Sequence, residues 1–161
     1  MAKAKKRGRT GALVRKPPPA SSPYWKFISL ASCVNVAVYR LSGGRLGGRV
    51  GRAPVLLLHH VGRRSGKARV SPLLYLADGD RLVIVASKGG TDRHPAWFHN
   101  LVANPDTTVE VGRERRRVKA RQASEKERER FWPRLVEMYP SYATYQSHTD
   151  RLIPVVVLEG A

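Results

Sequence analysis

Short apolar runs recur at close intervals from Pro54 to the C-terminus, and this pattern predicts a set of short strands. Asp78-Gly79-Asp80 is a turn between the second and third runs, which predicts that these two strands are antiparallel. Pro72 interrupts the second run and predicts an edge or a bulge there, because proline cannot donate to a strand ladder. The predicted strands cover residues 55–61, 69–77, 81–87, 107–111, 117–123 and 153–158.

Two helices are predicted among these strands. The first covers residues 95–103 and ends before Pro105. Ser124 and Glu127 have the spacing of a capping box, which predicts a second helix from there to about Met138. Short strands with a few helices predict a mainly β, α+β domain over residues 53–161, built as a small antiparallel barrel of about six strands with flanking helices.

The N-terminal part of the chain has a different pattern. Residues 1–22 are basic and proline-rich, which predicts a disordered arm. Residues 23–52 are predicted to form an amphipathic helix over 24–41 and a Gly-rich hinge over 42–52. The apolar stripe of this helix comprises Tyr24, Ile28, Ala31, Val34, Val38 and Leu41.

Two roles are open for this helix. It could pack on the domain, or it could lie in a membrane interface with Tyr24 and Trp25 at the level of the lipid headgroups. Its longest uncharged stretch, residues 27–39, is too short to cross a bilayer, which needs about 20 residues.

Charge is distributed unevenly along the 161 residues, which contain 30 Lys and Arg against 12 Asp and Glu. Sixteen basic residues and no acidic residue precede Asp78, whereas 14 basic and 12 acidic residues lie from there to the end. The net charge of +18 therefore implies an anionic partner, which could be nucleic acid, an acidic membrane surface or an anionic ligand. Cys33 is the only cysteine, which excludes an intrachain disulfide and fits a reducing cytoplasm.

Residues 62–69 (Gly-Arg-Arg-Ser-Gly-Lys-Ala-Arg) carry the densest group of cations and form a predicted hairpin loop. The glycines allow backbone N–H groups to face a ligand and the cations supply charge, which predicts a cradle for phosphate or carboxylate. The loop is not a Walker A motif, because Gly62 and Gly66 are one residue too close and Ala68 stands where Ser or Thr must bind magnesium. From the loop alone, a solvated basic turn is an equal alternative.

Two further groups of residues could face a ligand. Ser87-Lys88-Gly89-Gly90 follows the third predicted strand, without the frame of a hydrolase nucleophile elbow. Tyr142 and Tyr145 share one face of a short helix that Pro140 could open, and their phenols can donate hydrogen bonds to a substrate oxygen. Simple packing of the two rings is the alternative. The five histidines lack the spacing of a metal site, so no metal is predicted.

Four segments, taken together in this order and spacing, resemble the deazaflavin-dependent nitroreductase and quinone reductase family, whose members use coenzyme F420. The segments are residues 62–73, 85–90, 94–105 and 138–145, and the resemblance extends from about Val38 to Leu158. It implies a split β-barrel of the FMN-binding type. It also implies hydride transfer from reduced F420, whose phosphate and oligoglutamate tail match the basic loop, to a quinone-like or nitroaromatic acceptor.

The resemblance also implies roles for individual residues. Tyr142 and Ser87 are expected nearest the reacting groups, where either could donate a hydrogen bond or proton to the acceptor oxygen. Arg64 departs from some members, which have Lys there. The residues expected to bind the acceptor are Tyr139, Tyr142 and Tyr145. Those expected to bind the coenzyme are Arg63, Arg64, Ser65, Gly66, Lys67, Arg69, Pro72, Ser87, Lys88, Gly89, Trp97 and Asn100.

Two other functions compete with this one. The basic run over residues 113–117 could serve nucleic acid, but no nucleic-acid-reading motif accompanies it and aromatic residues do not alternate with it. The second competing function is that of a barrel of the same fold that binds FMN or haem, or that carries a ligand without turnover. We expect a cytoplasmic protein whose basic arm and first helix reach an anionic membrane surface at its inner face. The sequence leaves the oligomeric state open.

Overall fold

A computed structural model describes residues 18–19, 22–23 and 34–161 of the chain. Most of the predicted arm over residues 1–22 lies outside the described residues, and so do residues 24–33 of the predicted helix.

Seven strands form one antiparallel sheet in the order β1-β2-β3-β4-β7-β6-β5, and β2 also pairs with β5. The additional pairing closes strands β2 to β7 into a six-stranded barrel, which confirms the predicted fold. Each predicted strand overlaps one of these six, and β1 is a short addition on β2 that was not predicted. The strands are β1 (Arg49–Val50), β2 (Ala53–Val61), β3 (Ala68–Asp78), β4 (Arg81–Val85), β5 (Asp106–Val111), β6 (Glu114–Gln122) and β7 (Val155–Gly160).

Helices flank the barrel. They are α1 (residues 34–42), α2 (Ala96–Ala103), α3 (Glu125–Met138) and α4 (Ser141–Ser147). The predicted capping box begins α3, since the backbone N–H of Glu127 donates to Ser124 Oγ and the N–H of Ser124 donates to the Glu127 carboxylate. Pro140 precedes α4, as its fixed φ favours.

Strand β3 changes its partner half-way along its length. Residues 68–74 pair with β2, and residues 75–78 pair with β4. Pro72 lies opposite Leu57 in the first half, before the ladder with β4 begins, so its missing N–H leaves that ladder intact. The edge predicted at Pro72 is therefore present, and it opens one side of the barrel.

Two large apolar clusters form most of the core, and a third, smaller one surrounds Tyr39. Strand alternation sends Leu56, Leu58 and Ile84 into the barrel interior, where α2 closes one end with Phe98 and Leu101. The neighbouring positions of β4 and β7 face outward and pack against α3 and α4 in a second cluster that contains Val83, Val157, Phe131, Leu135 and Tyr142. Each fully buried side chain of this size stabilises the fold by about 1.5–3 kcal/mol. Helix α4 is therefore fixed firmly to the outside of the barrel.

Helix α1 is attached mainly through Tyr39 rather than through those residues of the predicted apolar stripe that the structure describes. Tyr39 is buried, and its hydroxyl donates to the carbonyl of Val55 and accepts from the N–H of Gly112. Arg40 adds a bidentate ion pair with Glu110 at 2.7 and 3.0 Å. The stripe residues Val34, Val38 and Leu41 are exposed, because burial of Tyr39 turns the opposite face of the helix outward.

The Gly-rich segment over residues 42–52 is a packed connection in the structure. Ser42 Oγ accepts the backbone N–H of Leu46, and the carbonyl of Gly48 accepts the N–H of Val55. A Cβ on Gly48 would lie 1.9 Å from the carbonyl oxygen of Gly44. Glycine is required here by this close approach of two backbone segments, and the segment ends in the β1 hairpin.

Candidate functional site

The basic loop over residues 62–69 is a tight hairpin between β2 and β3. The N–H of Gly62 donates to the carbonyl of Lys67 at 2.9 Å, and the N–H of Gly66 donates back to the carbonyl of Gly62 at 2.8 Å. Gly66 has a φ of +64°, a backbone angle that residues other than glycine rarely adopt. The turn thus places Arg63, Arg64 and Ser65 consecutively on its outer curve.

A chain of buried and partly buried hydrogen bonds fixes the start of this loop. The backbone N–H of Arg63 donates to Asn100 Oδ1 at 3.0 Å. Asn100 Nδ2 lies 2.9 Å from His60 Nδ1, and His60 Nε2 lies 3.0 Å from Ser71 Oγ. Since the Asn100 oxygen faces the Arg63 N–H, its amide nitrogen donates to His60 Nδ1 and the imidazole proton lies on Nε2. Burial lowers the pKa of His60 to about 4, with smaller effects from Arg69 and His59, so the ring is neutral.

The loop forms one wall of a cavity of about 740 Å³. Five Lys and Arg side chains line it against one carboxylate, that of Asp92, so the cavity favours an anion. The other lining residues come from the segment before α2 and from one face of that helix. The lining comprises Gly62, Arg63, Arg64, Ser65, Arg69, Lys88, Asp92, Arg93, His94, Ala96, His99 and Asn100.

The α2 wall of this cavity was only partly predicted. Asn100 was expected there, whereas Arg93, His94 and His99 were not. Ala96, His99 and Asn100 follow the i, i+3, i+4 spacing of one helix face, so the prediction of Asn100 could have been extended to His99. Arg93 and His94 precede the helix, and no spacing rule relates them to the loop.

The segment from Ser87 to Thr91 separates this cavity from a second one. Lys88 lines both, and it is the one non-glycine residue with positive φ (45°) in the described part of the chain. Gly90, at φ +79°, packs directly on α4, since a Cβ there would lie 2.5 Å from the carbonyl oxygen of Tyr145. A backbone with these positive φ angles is held in place by the residues packed around it. It places Ser87, Lys88 and Gly89 between the basic loop and α4.

The second cavity, of about 550 Å³, opens where β3 changes its partner. Its wall is largely apolar and aromatic. Trp97 and three tyrosines contribute rings, and the tyrosine ring centroids lie 5.0 to 6.4 Å apart at steep angles. The lining comprises Asn35, Val50, Val55, Pro72, Leu73, Leu74, Val85, Ser87, Lys88, Gly89, Pro95, Trp97, Tyr139, Tyr142 and Tyr145.

Tyr142 is the most buried of the three tyrosines. Burial raises the pKa of its phenol, and the neighbouring Tyr139 and Tyr145 add to the increase, so the group is protonated at every physiological pH. The Tyr139 and Tyr145 hydroxyls lie 3.4 Å apart. Tyr142 makes no such contact with any described residue, which leaves its O–H available to a ligand oxygen.

Most of the predicted site residues line one of these two cavities. Gly66 and Lys67 complete the turn but lie outside both linings. The predicted residues of the first cavity are Arg63, Arg64, Ser65, Arg69, Lys88 and Asn100. Those of the second are Pro72, Ser87, Lys88, Gly89, Trp97, Tyr139, Tyr142 and Tyr145.

A metal site and a membrane-spanning helix are both absent from the described residues. In the described ranges, no group of three or more His, Cys, Asp or Glu residues is placed to hold a metal ion. No helix of the same ranges has both the length and the apolar character to cross a membrane.

A six-stranded barrel with a cation-lined cleft beside an aromatic cavity is typical of coenzyme-binding barrels. The profile of the family described as F420H(2)-dependent quinone reductase matches residues 32–160. The chain therefore belongs to the F420H(2)-dependent quinone reductase family, whose members are oxidoreductases with F420H2 as the reductant, which confirms the expected cofactor and reaction.

Individual relatives agree with this assignment. The F420H(2)-dependent quinone reductase Rv1261c of Mycobacterium tuberculosis is 46% identical over 126 residues, which cover 76% of this chain and 85% of the relative. A solved F420-H2 dependent reductase (FDR-A) is 43% identical, with a TM-score of 0.61 over 66% of this chain and 94% of its own. A structure described as a domain-swapped dimer is 36% identical, with a TM-score of 0.64 over 86% of this chain and all of its own.

Proposed function

We propose that this chain binds reduced F420 across its two cavities and reduces a quinone-like acceptor in the second. The observation that carries the proposal is the junction at Lys88, where a cation-lined cavity and an aromatic cavity share one residue. A ligand with an anionic tail and a flat ring matches that junction. The membership of the chain in a quinone reductase family supports the acceptor class.

The residues present fit the chemistry of this coenzyme. Its phosphate and carboxylate tail needs several cations and few carboxylates, and the first cavity offers Arg63, Arg64 and Arg69 on one wall with Lys88 and Arg93 on the other. The Asn100–His60 chain holds the Arg63 backbone in place before the ligand arrives. Less ordering is then needed on binding, which favours affinity.

F420H2, when bound, supplies the hydride for the reaction. The tyrosines and Trp97 form the walls that align an acceptor ring and exclude water from it. The Tyr142 phenol is protonated and faces no competing acceptor among the described residues, so it can donate to the acceptor oxygen as negative charge develops there. Ser87, whose side chain makes no capping hydrogen bond, lies on the same cavity wall as a second donor.

Nitroaromatic compounds are proposed as a second acceptor class. They share with quinones a flat electron-poor ring and an oxygen that gains negative charge on reduction. An aromatic cavity with an O–H donor suits both. Turnover of menadione and of a nitroimidazole, measured by loss of F420H2 absorbance, would compare the two classes directly.

Fluorescence titration with F420 tests the coenzyme site. We expect saturable binding by the wild-type protein, weakened about 10-fold or more in Arg64→Ala and Lys88→Ala, since each removes a charge-assisted contact. Arg115→Ala is the matched control, because Arg115 is exposed and outside both cavities. Binding of FMN in place of F420, or equal affinity in all four proteins, would overturn the proposed site.

We further propose that α1 and the basic N-terminal segment bind an anionic membrane surface, so that a cytoplasmic enzyme meets a membrane quinone. The exposed side chains of Val34, Val38 and Leu41 support this, together with the 16 basic residues and the absence of acidic residues in the sequence before Asp78. The full chain should sediment with phosphatidylglycerol vesicles and not with phosphatidylcholine vesicles. The double variant Val34→Gln, Leu41→Gln should bind them more weakly, and unchanged sedimentation would count against the proposal.

A further inference from the structure

Arg151 lies in the connection between α4 and β7, behind the wall that separates the two cavities. Its guanidinium donates to three backbone carbonyls of the neighbouring segment: to Thr91 at 2.7 Å, to Ser87 at 2.8 Å and to Ala86 at 3.3 Å. Arg151 thus contacts the residue before Lys88 and the residue after Gly90. One side chain spans the whole turn that carries the shared cavity residues.

The backbone of Arg151 is itself held in place. Gln146 of α4 donates through Nε2 to the carbonyl of Arg151 at 2.8 Å, and its Oε1 accepts the N–H of Ile153 at 3.0 Å. Thr149 Oγ1 donates to Asp92 at 3.1 Å on the same wall. The backbone of Arg151 is therefore tied to α4, and its side chain extends from there to the Ser87–Thr91 turn.

Arg151 also determines the state of His94. Its Nη1 lies 2.9 Å from His94 Nδ1, and because a guanidinium can only donate, this imidazole nitrogen is the acceptor. The proton of a neutral His94 is then on Nε2. Burial lowers the pKa of His94, and the charges of Arg151 and His99 lower it further. The ring lines the first cavity and packs against Phe98, with centroids 5.0 Å apart.

The guanidinium of Arg151 forms no ion pair with any carboxylate of the described residues, unlike Arg81, Arg121 and Arg134. Its hydrogen bonds go to backbone carbonyls and to one imidazole. Partial burial lowers the pKa of Arg151, which makes its position costly for a cation. We infer that arginine stands here because its planar, five-donor guanidinium can reach all of these acceptors at once. Stabilisation of the barrel alone would not require contacts that converge on Ala86–Thr91 and His94.

We propose that Arg151 is a positioning residue, which holds the Ser87–Thr91 turn between the two cavities and fixes the tautomer of His94 on the anion-binding wall. The inference rests on the proposed coenzyme site for its effect on binding, but not for its effect on His94. Other charged or titratable groups near His94 are His99 on α2 and Lys88, Asp92 and Arg93 of the shared cavity wall.

The test compares the full-length wild type with Arg151→Met and Arg151→Lys, and uses Arg115→Met as the control for loss of an exposed arginine. The first measurement is side-chain ¹⁵N NMR of the histidines in the free protein between pH 5.5 and 8, which reports tautomer and titration. The second is the dissociation constant of F420 over the same pH range. His94→Gln and the double variant Arg151→Met, His94→Gln identify the contribution of His94.

In the wild type we expect the Nε2–H tautomer of His94 and a His94 pKa below the ordinary value for histidine. In Arg151→Met, His94 should lose that tautomer preference and titrate at a higher pH, because a hydrogen bond and a nearby positive charge are gone. F420 should bind at least 10-fold more weakly at pH 8, with part of the loss recovered at pH 5.5 as His94 becomes a cation. The double variant should lose this recovery, and Arg151→Lys should be intermediate.

An unchanged His94 spectrum in Arg151→Met, or F420 affinity within twofold of the wild type, would overturn the proposal. Should Arg151→Met fail to fold, Arg151→Lys takes its place in the test. A wild-type His94 spectrum together with wild-type F420 affinity in Arg151→Lys would then overturn the proposal. Absence of F420 binding by the wild type would instead contradict the proposed function. The NMR result on His94 would stand in that case, so the two failures can be distinguished.

Discussion

Replacing His60 with glutamine should remove a pH-dependent part of the stability of this protein. The ring of His60 is 7% exposed and forms hydrogen bonds with Asn100 and Ser71 only as a neutral group. Its pKa in the folded protein is lowered to about 4 from an ordinary value of 6.5, chiefly by burial. Between these two pH values the unfolded chain binds a proton that the folded chain refuses, so the free energy of unfolding falls as the pH falls.

The size of this effect follows from the two pKa values. A difference of about 2.5 in pKa, at ~1.36 kcal/mol per pH unit, corresponds to about 3 kcal/mol when the pH has fallen below both values. By pH 5 about 2 kcal/mol of this has been lost. Glu110 and Glu127 add little to the loss above pH 5, because their carboxyls titrate near 4.5 in the unfolded chain and ion pairs and hydrogen bonds lower their folded pKa values to about 2.

Urea unfolding followed by tryptophan fluorescence at pH 7.5 and pH 5.0 measures the effect. The wild type should lose about 2 kcal/mol more than His60→Gln between these two pH values. His99→Gln is the matched control, because it removes an imidazole that lines the first cavity and leaves His60 in place. Equal losses in the wild type and in His60→Gln would show that His60 is not the titrating group. The hydrogen-bond chain from a neutral His60 through Asn100 to the Arg63 backbone would then be refuted.

Three further perturbations follow from the same contacts. Tyr142→Phe should lower kcat with menadione about 10- to 100-fold while F420 affinity changes less than about twofold, and a loss of affinity alone would contradict a donor role. Gly90→Ala should lower the free energy of unfolding by about 2–3 kcal/mol, because its Cβ meets the Tyr145 carbonyl at positive φ, whereas Gly160→Ala, with open space, should be near neutral in thermal melts. Glu110→Gln should cost about 1 kcal/mol at pH 7, since Arg40 is half exposed; as the Glu110 pKa is lowered to about 2, urea titrations should find that difference shrinking from pH 4.5 towards pH 2.

The strands could be predicted because each is a short apolar run bounded by turn residues, and those signals are local. Strand β1 was missed because two residues, Arg49 and Val50, carry no pattern. The face of α1 that packs on the barrel was also missed, since Tyr39 is anchored by the carbonyl of Val55 and the N–H of Gly112. Such long-range contacts leave no periodic trace in the sequence around Tyr39.

The cation loop and the tyrosines could be predicted because each is a dense cluster of one residue type. The residues that hold those clusters in place could not be. Arg151 lies 57 residues after His94 and 64 after Ser87, and its neighbours in sequence form no motif that relates it to either residue. His60 is similar: adjacent to His59 on a strand, it gave no sign that it would accept from Asn100, 40 residues further on.

The charge of this chain is larger than the first cavity uses. Eight of the 16 basic residues before Asp78 lie in the described part of the chain, and three of these eight, Arg63, Arg64 and Arg69, line that cavity. One bound coenzyme would neutralise charges near this cavity only, and among the other described basic residues Arg40 is already paired with Glu110, so we propose a second anionic partner for the rest of the N-terminal charge. Three exposed apolar side chains of α1 lie in the same part of the sequence. Binding to a lipid interface requires such apolar side chains, whereas binding to nucleic acid does not. This coincidence of charge and apolar exposure is why we favour an anionic membrane surface as that second partner.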